Sequence, residues 1–133
     1  MAEQEGRTVA QKNVEPESVV EAYLTRVIQR RLRGYTMKLV PSDKGAPDRL
    51  VLLPCGIVRL VEVKRSGGRL SPAQEFWHHR AEGLQVPVDV VVGRAGVDVW
   101  AERMLALLDD VCEADLKNTP ESATRAALAG EKA

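Results

Sequence analysis

Two apolar segments separated by three turn-forming residues constrain this chain more than any other feature of its 133 residues. Arg49 to Leu53 and Ile57 to Lys64 are apolar at nearly every position, and Pro54-Cys55-Gly56 joins them. So short a connection between two β-like runs predicts an antiparallel hairpin. Strands that are apolar on alternate and intervening positions alike belong in a layered α/β protein, covered on both faces.

The flanking segments supply the layers. Glu15-Pro16-Glu17-Ser18 reads as a helix start, with proline in the first turn and acidic side chains at the positive end of the dipole. Val20, Leu24, Val27, Ile28 and Leu32 follow at helical spacing, and Gly34 is placed to end that helix. Tyr35 to Val40 is a short β-like run, and residues 41–47 are loop by composition. After the hairpin, Ser71-Pro72 opens a second helix whose buried stripe is Ala73, Trp77, Ala81 and Leu84. Val86 to Val92 reads as a strand, Val97 to Trp100 as a further short strand, and Ala101 to Cys112 as a last helix. The order α-β-β-β-α-β, then a short β-α, predicts one α/β domain over residues 15–112 with a mixed central sheet flanked by helices. A flexible tail (1–14) is expected before it and a polar tail (113–133) after it. A chain of this length buries one core and is too short for two ordinary domains.

Several classes fall away. No apolar run approaches the roughly 20 residues of a membrane helix. Met1 to Gln11 is polar, without the apolar core of a secretory signal, so a cytoplasmic location is expected. The two cysteines, Cys55 and Cys112, are too few for a disulfide framework and are expected to be reduced, packed thiols. The formal net charge is zero, but its distribution is uneven. Between Ala22 and Arg80 stand twelve Lys/Arg against four Asp/Glu. A basic middle between acidic ends suits a phosphate-bearing partner, although a solvated arginine-rich surface reads equally well.

The hairpin register brings chemistry together. If the turn centres on Cys55, Asp48 and Glu62 face each other across the strands, and Lys64 shares their face two residues on. Cross-strand partners lie about 5 Å apart. Two adjacent carboxylates repel unless something compensates. Such oxygen ligands suit a hard cation such as Mg²⁺ or Mn²⁺, and a neighbouring lysine offers positive charge to a phosphate or an attacking water. A plain Glu–Lys surface pair, with Asp48 ending a loop, is the alternative.

Gly45-Ala46-Pro47-Asp48-Arg49, Val61-Glu62-Val63-Lys64 and Leu70-Ser71-Pro72-Ala73-Gln74 with Trp77 together resemble the VRR-Nuc domain of the PD-(D/E)XK nuclease superfamily, in its stand-alone phage and bacterial form. The resemblance spans roughly Glu15 to Trp100. It implies a restriction-endonuclease-like core and a metal-dependent endodeoxyribonuclease. Asp48 and Glu62 would be the acidic metal ligands, with the backbone carbonyl of Val63 as a further contact, and Mg²⁺ or Mn²⁺ as the ion. Lys64 would be the catalytic lysine and Gln74 would help arrange the site. The family's first-helix glutamate maps to Glu21, with Glu17 one turn earlier as the alternative. Gln74 also completes a Ser-x-x-Gln capping box with Ser71, a purely structural use of the same residue. Lys38, Lys44, Arg49, Arg65, Arg69 and Arg30 are the candidates for holding the DNA backbone, or else lie on a solvated surface. Trp77 reads as core packing rather than as a stacking platform, and His78 and His79 carry no catalytic role. Stand-alone members resemble Holliday-junction resolvases, which implies branched or junction DNA as partner and a homodimer. Apolar surface from the first helix or from Val97 to Leu108 would form its interface. Flaps, nicks or single strands are the alternative substrates, and a non-catalytic nucleic-acid-binding protein is the alternative class.

Overall fold

A computed structural model describes residues 14–117. Most of both expected tails, residues 1–13 and 118–133, lies outside the described residues. The elements in chain order are α1 (Glu17–Arg30), β1 (Tyr35–Lys38), β2 (Arg49–Leu53), a 3₁₀ turn (Pro54–Gly56), β3 (Ile57–Lys64), α2 (Pro72–Gly83), β4 (Val88–Val92) and α3 (Gly93–Lys117).

The expected hairpin forms around the Pro-Cys-Gly turn. Leu53 pairs with Ile57 and Arg49 with Val61, so the register is symmetric about Cys55. Strand β1 adds antiparallel to β2, with Lys38 opposite Arg49. Strand β4 adds parallel to β3, with Lys64 opposite Val92. The result is a mixed four-stranded sheet in the order β1-β2-β3-β4. A parallel neighbour needs a crossover, and α2 supplies it.

Side-chain alternation sorts the strands into two faces. On one face Val51, Leu53, Val61, Val63 and Val91 join Val20, Leu24, Val27 and Ile28 of α1 and Val97, Trp100, Ala101, Met104 and Leu108 of α3 in a single core. That core also takes in a charged pair. Asp89 is buried, and Arg59 donates to both of its oxygens at 2.8 and 2.6 Å. The Trp100 indole N–H donates to Asp89 as well, at 2.9 Å. These three hydrogen bonds hold the Asp89 carboxyl below its ordinary range despite burial.

The opposite face departs from expectation. Helix α2 covers it only in part, and Tyr35, Met37, Leu52, Val58, Val90 and Val92 stay 39–59% exposed. The expected α2 stripe is correspondingly loose: Ala81 is buried, Ala73 and Trp77 are half-buried, and Leu84 is 75% exposed.

Three further expectations are corrected. Val97 to Trp100 is helix, because Gly93 takes a left-handed backbone (φ 67°) straight after β4 and starts α3 there. Val97, Trp100, Ala101, Met104 and Leu108 are the helical stripe of that longer element. The apolar surfaces offered for a dimer, on α1 and over Val97 to Leu108, are the interior of the protomer itself. Finally, Cys55 and Cys112 are joined in a disulfide, which staples the hairpin tip to the last turns of α3. Cys55 takes a left-handed backbone (φ 62°) in the turn, and the helix is long enough to bring Cys112 to it.

The bridged cysteines lie 57 positions apart, so the cross-link removes considerable chain entropy from the unfolded state. Cys112→Ser is expected to lower unfolding free energy by about 2–4 kcal/mol, measured by urea denaturation against untreated wild type. Dithiothreitol should lower wild type to the same level and leave the variant unchanged.

Candidate functional site

All chemistry gathers at the sheet end opposite the staple. There β1 and β3 end, β2 begins and α1 and α2 have their N-termini. Asp48 immediately precedes β2, and its carbonyl accepts the Leu39 N–H at 2.6 Å, extending the β1–β2 ladder by one step. The β2–β3 register, continued by one residue, sets Asp48 opposite Glu62 as the sequence predicts. Lys64 follows on the same face, its Nζ 3.8 Å from Glu62 Oε1. Val63 lies between them with its side chain in the core, so only its backbone faces the site.

Glu62 is 2% exposed. Gln74 donates from Nε2 to Glu62 Oε1 at 2.7 Å, while its own Oε1 accepts the Ser71 N–H at 2.9 Å. The Ser71 hydroxyl in turn accepts from the Gln74 N–H at 3.2 Å. One Gln74 side chain thus both closes the capping box and donates to Glu62. Gly45 holds the preceding loop against this helix start. With φ of +90°, it lies so close that a Cβ there would stand 2.2 Å from the Ala73 carbonyl oxygen. The glycine ahead of Pro47-Asp48 therefore has a packing reason.

Glu17 and Glu21, one turn apart on α1, each bring a carboxylate oxygen within 4.8 Å of one on Asp48. The sequence leaves the choice between them open; the fold brings both. Arg49 is not a surface cation. Its side chain is 11% exposed and lies 4.0 Å from Glu21, with Thr36 Oγ1 at 3.5 Å. Lys38 also approaches Glu21 at 4.0 Å but is mostly exposed. Lys44, Arg65 and Arg69 are exposed on loops bordering the same end. Arg30 is not brought there: nine residues beyond Glu21 on α1, it stands about 13 Å further along the helix. His78, given no role from sequence, has an Nε2 that is buried without a partner among the described residues, and burial and the Lys64 charge lower its basicity.

Two oxygens are left over. Asp48 Oδ1 and Glu62 Oε2 are both buried without a hydrogen-bond partner among the described residues. An orphaned carboxylate oxygen in the interior is costly. The electrostatics register that cost. Burial, then the Asp48 charge, push Glu62 up from an ordinary 4.5 to about 7, against the pull of Lys64. Burial, then Glu21, raise Asp48 as well. Hard oxygen donors facing one another with open lone pairs fit a divalent cation such as Mg²⁺ or Mn²⁺, which would satisfy both at once.

A mixed sheet with an acidic pair and a lysine at its strand ends, flanked by helices, defines a restriction-endonuclease-like α/β core. The comparisons agree, and the chain belongs to the VRR-NUC domain family, which it matches over residues 3–95. A solved structure described as a VRR_NUC domain is 34% identical and superposes with a TM-score of 0.58, covering 65% of this chain and 94% of that one. "Putative nuclease p44" of Acyrthosiphon pisum secondary endosymbiont phage 1 is 40% identical over 75 residues, which cover 54% of this chain and 80% of the phage protein. Family and relative together support a nuclease. Among the described residues, no helix is long and apolar enough to cross a membrane.

The raised Glu62 carboxyl makes stability depend on pH in a defined window. A group that binds its proton more tightly when folded lends full stability below its unfolded value and loses it as pH rises through its folded value. In metal-free protein the loss therefore runs from about 4.5 to about 7. Glu62→Gln should gain on wild type across that range by on the order of 3 kcal/mol, read by denaturation at pH 5 and pH 8. Taking the difference between the two proteins cancels the slope from His78. A constant difference would mean that Glu62 is not held out of water as described.

Proposed function

We propose that this protein is a divalent-metal-dependent endonuclease that hydrolyses phosphodiester bonds in branched DNA, in the manner of a Holliday-junction resolvase acting as a homodimer. The observation that carries the chemistry is the pair of orphaned buried oxygens, Asp48 Oδ1 and Glu62 Oε2, with a lysine beside them. When bound, Mg²⁺ or Mn²⁺ would supply Lewis-acid stabilisation of phosphate charge and a more acidic water.

The chain's own residues do the rest. Asp48 and Glu62, with the Val63 carbonyl, would hold the ion. Gln74 engages one oxygen of Glu62 and so aims the other. Lys64 donates from Nζ toward the attacking water or a non-bridging phosphate oxygen. Glu21, with Glu17 beside it, orients water on the Asp48 side, and Arg49 holds Glu21 in place. Lys38, Lys44, Arg65 and Arg69 border the site and meet the backbone without reading bases. A four-way junction has two symmetric cleavage points, which a two-fold pair of sites would match. The nuclease unit comprises residues 15–117, five more than expected because α3 runs on to Lys117, and the phage source of the relative supports a phage- or bacterium-encoded protein working in the cytoplasm.

The test is cleavage of a labelled panel: four-way junction, 5′ and 3′ flaps, nicked duplex and single strand. With Mg²⁺ or Mn²⁺, paired symmetric cuts in the junction are expected, and none with EDTA. Glu62→Ala should abolish cleavage, and Lys64→Ala should reduce it about 10²–10³-fold. Gln74→Ala should cost about 10–100-fold. Light scattering should give twice the protomer mass. Cuts confined to flaps or nicks by a monomer would replace the junction assignment. Binding without cleavage under any metal would make the protein a binding module.

A further inference from the structure

Along α2, from one to about three turns beyond Gln74, lies a cavity of about 300 Å³ that the chemistry above does not use. Asp43 from the β1–β2 loop, Trp77, Arg80, Ala81 and Leu84 from α2 and its end, and Val86 line it. Its floor is apolar, and its charged groups are one carboxylate and one guanidinium. We propose that this cavity receives a single unstacked nucleobase of the bound strand, next to the phosphate being cut. The inference rests on the nucleic-acid substrate proposed above and names a second contact with it.

Three observations carry it. First, the cavity shares both walls with the catalytic site. Asp43 stands five residues before Asp48 in one loop, and Trp77 stands three residues after Gln74, one turn along the same helix. Gly45 packs the loop directly on α2. Second, the lining matches a base in chemistry. Trp77 is half-buried and Leu84 is 75% exposed, so a broad apolar surface stays open to the solvent side. That surface suits a flat aromatic ligand. Arg80, held 6.0 Å above the Phe76 ring, can donate to ring nitrogens or carbonyls of a base. Asp43 can accept from amino or imino N–H groups. Third, a carboxylate at the rim disfavours phosphate itself, while exposed Lys44 beside it can take the phosphate. The pocket therefore suits the base and its border suits the backbone. A cavity of this volume lies within the range of small-molecule sites.

The test scans 2-aminopurine along each strand of the substrate that wild type cuts, with Ca²⁺ in place of Mg²⁺. Wild type should quench the probe strongly at one position adjacent to the cut. Trp77→Ala should abolish that quenching and weaken DNA affinity by about 5- to 150-fold, the range expected for one stacked base. Trp77→Phe should keep much of both. Leu84→Glu, at an exposed rim position, should lose the quenching with unchanged thermal stability, which separates pocket occupancy from folding. If wild type cuts DNA and no position shows quenching that depends on Trp77, the pocket assignment is overturned and the nuclease assignment stands. If wild type neither binds nor cuts any member of the panel, both are overturned.

Discussion

Everything at the working end of this protein depends on two carboxylates kept out of water. Asp48 and Glu62 meet across a hairpin at the end of an apolar sheet, and each retains one buried oxygen without a hydrogen-bond partner among the described residues. Burial and the Asp48 charge both favour protonation of Glu62, and Lys64 offsets them only in part. An arrangement that destabilises the free protein is intelligible if a cation restores the balance. The folding cost and the metal affinity are then one quantity seen from two sides.

The rest of the architecture makes that arrangement rigid. The sheet's core-facing side is filled by α1 and α3, and the buried Arg59–Asp89–Trp100 cluster ties β3, β4 and α3 together without leaving a polar atom of Asp89 unpaired. The Cys55–Cys112 bridge closes the far end of the hairpin, so the strands that carry Asp48 and Glu62 are anchored away from the chemistry. Outside the core, α1 and α3 are joined by Tyr23–Asp98 and by Arg31–Glu102 at 2.5 Å. The opposite face is different. Helix α2 buries only Ala81 fully, and it leaves apolar sheet and helix surface accessible on that face. Near its start α2 sets Gln74 on Glu62, and from Trp77 onward it faces a cavity.

Much of this is legible in the residues because it is local. A three-residue turn leaves one simple register, and that register puts Asp48 opposite Glu62 without knowledge of any other element. Ser71-Pro72 with Gln74 announces both a helix start and its cap. What escapes is what depends on distance through space. The cysteines stand 57 positions apart, and nothing in their spacing says that a long helix returns to the hairpin tip. Val97 to Trp100 alternates like a strand, and only its continuation to Leu108 shows the helical stripe. Arg49 looks like a surface cation beside a loop, yet the start of β2 turns it inward to Glu21. The half-open sheet face follows from α2 being short and thinly apolar, a matter of packing that no hydrophobic run reveals.

The proposed chemistry requires Asp48 and Glu62 to bind one cation together, and that cation must displace the proton that burial and the Asp48 charge favour on Glu62. Calorimetric titration with Mn²⁺ at pH 6.5, in buffers of different ionisation enthalpy, measures binding and proton release together. A single site per protomer is expected, with proton release on binding because Glu62 is largely protonated beforehand. Glu62→Gln should lose the proton release and most of the affinity, and Asp48→Asn most of the affinity. Equal binding by wild type and both variants, or binding without proton release, would contradict the account.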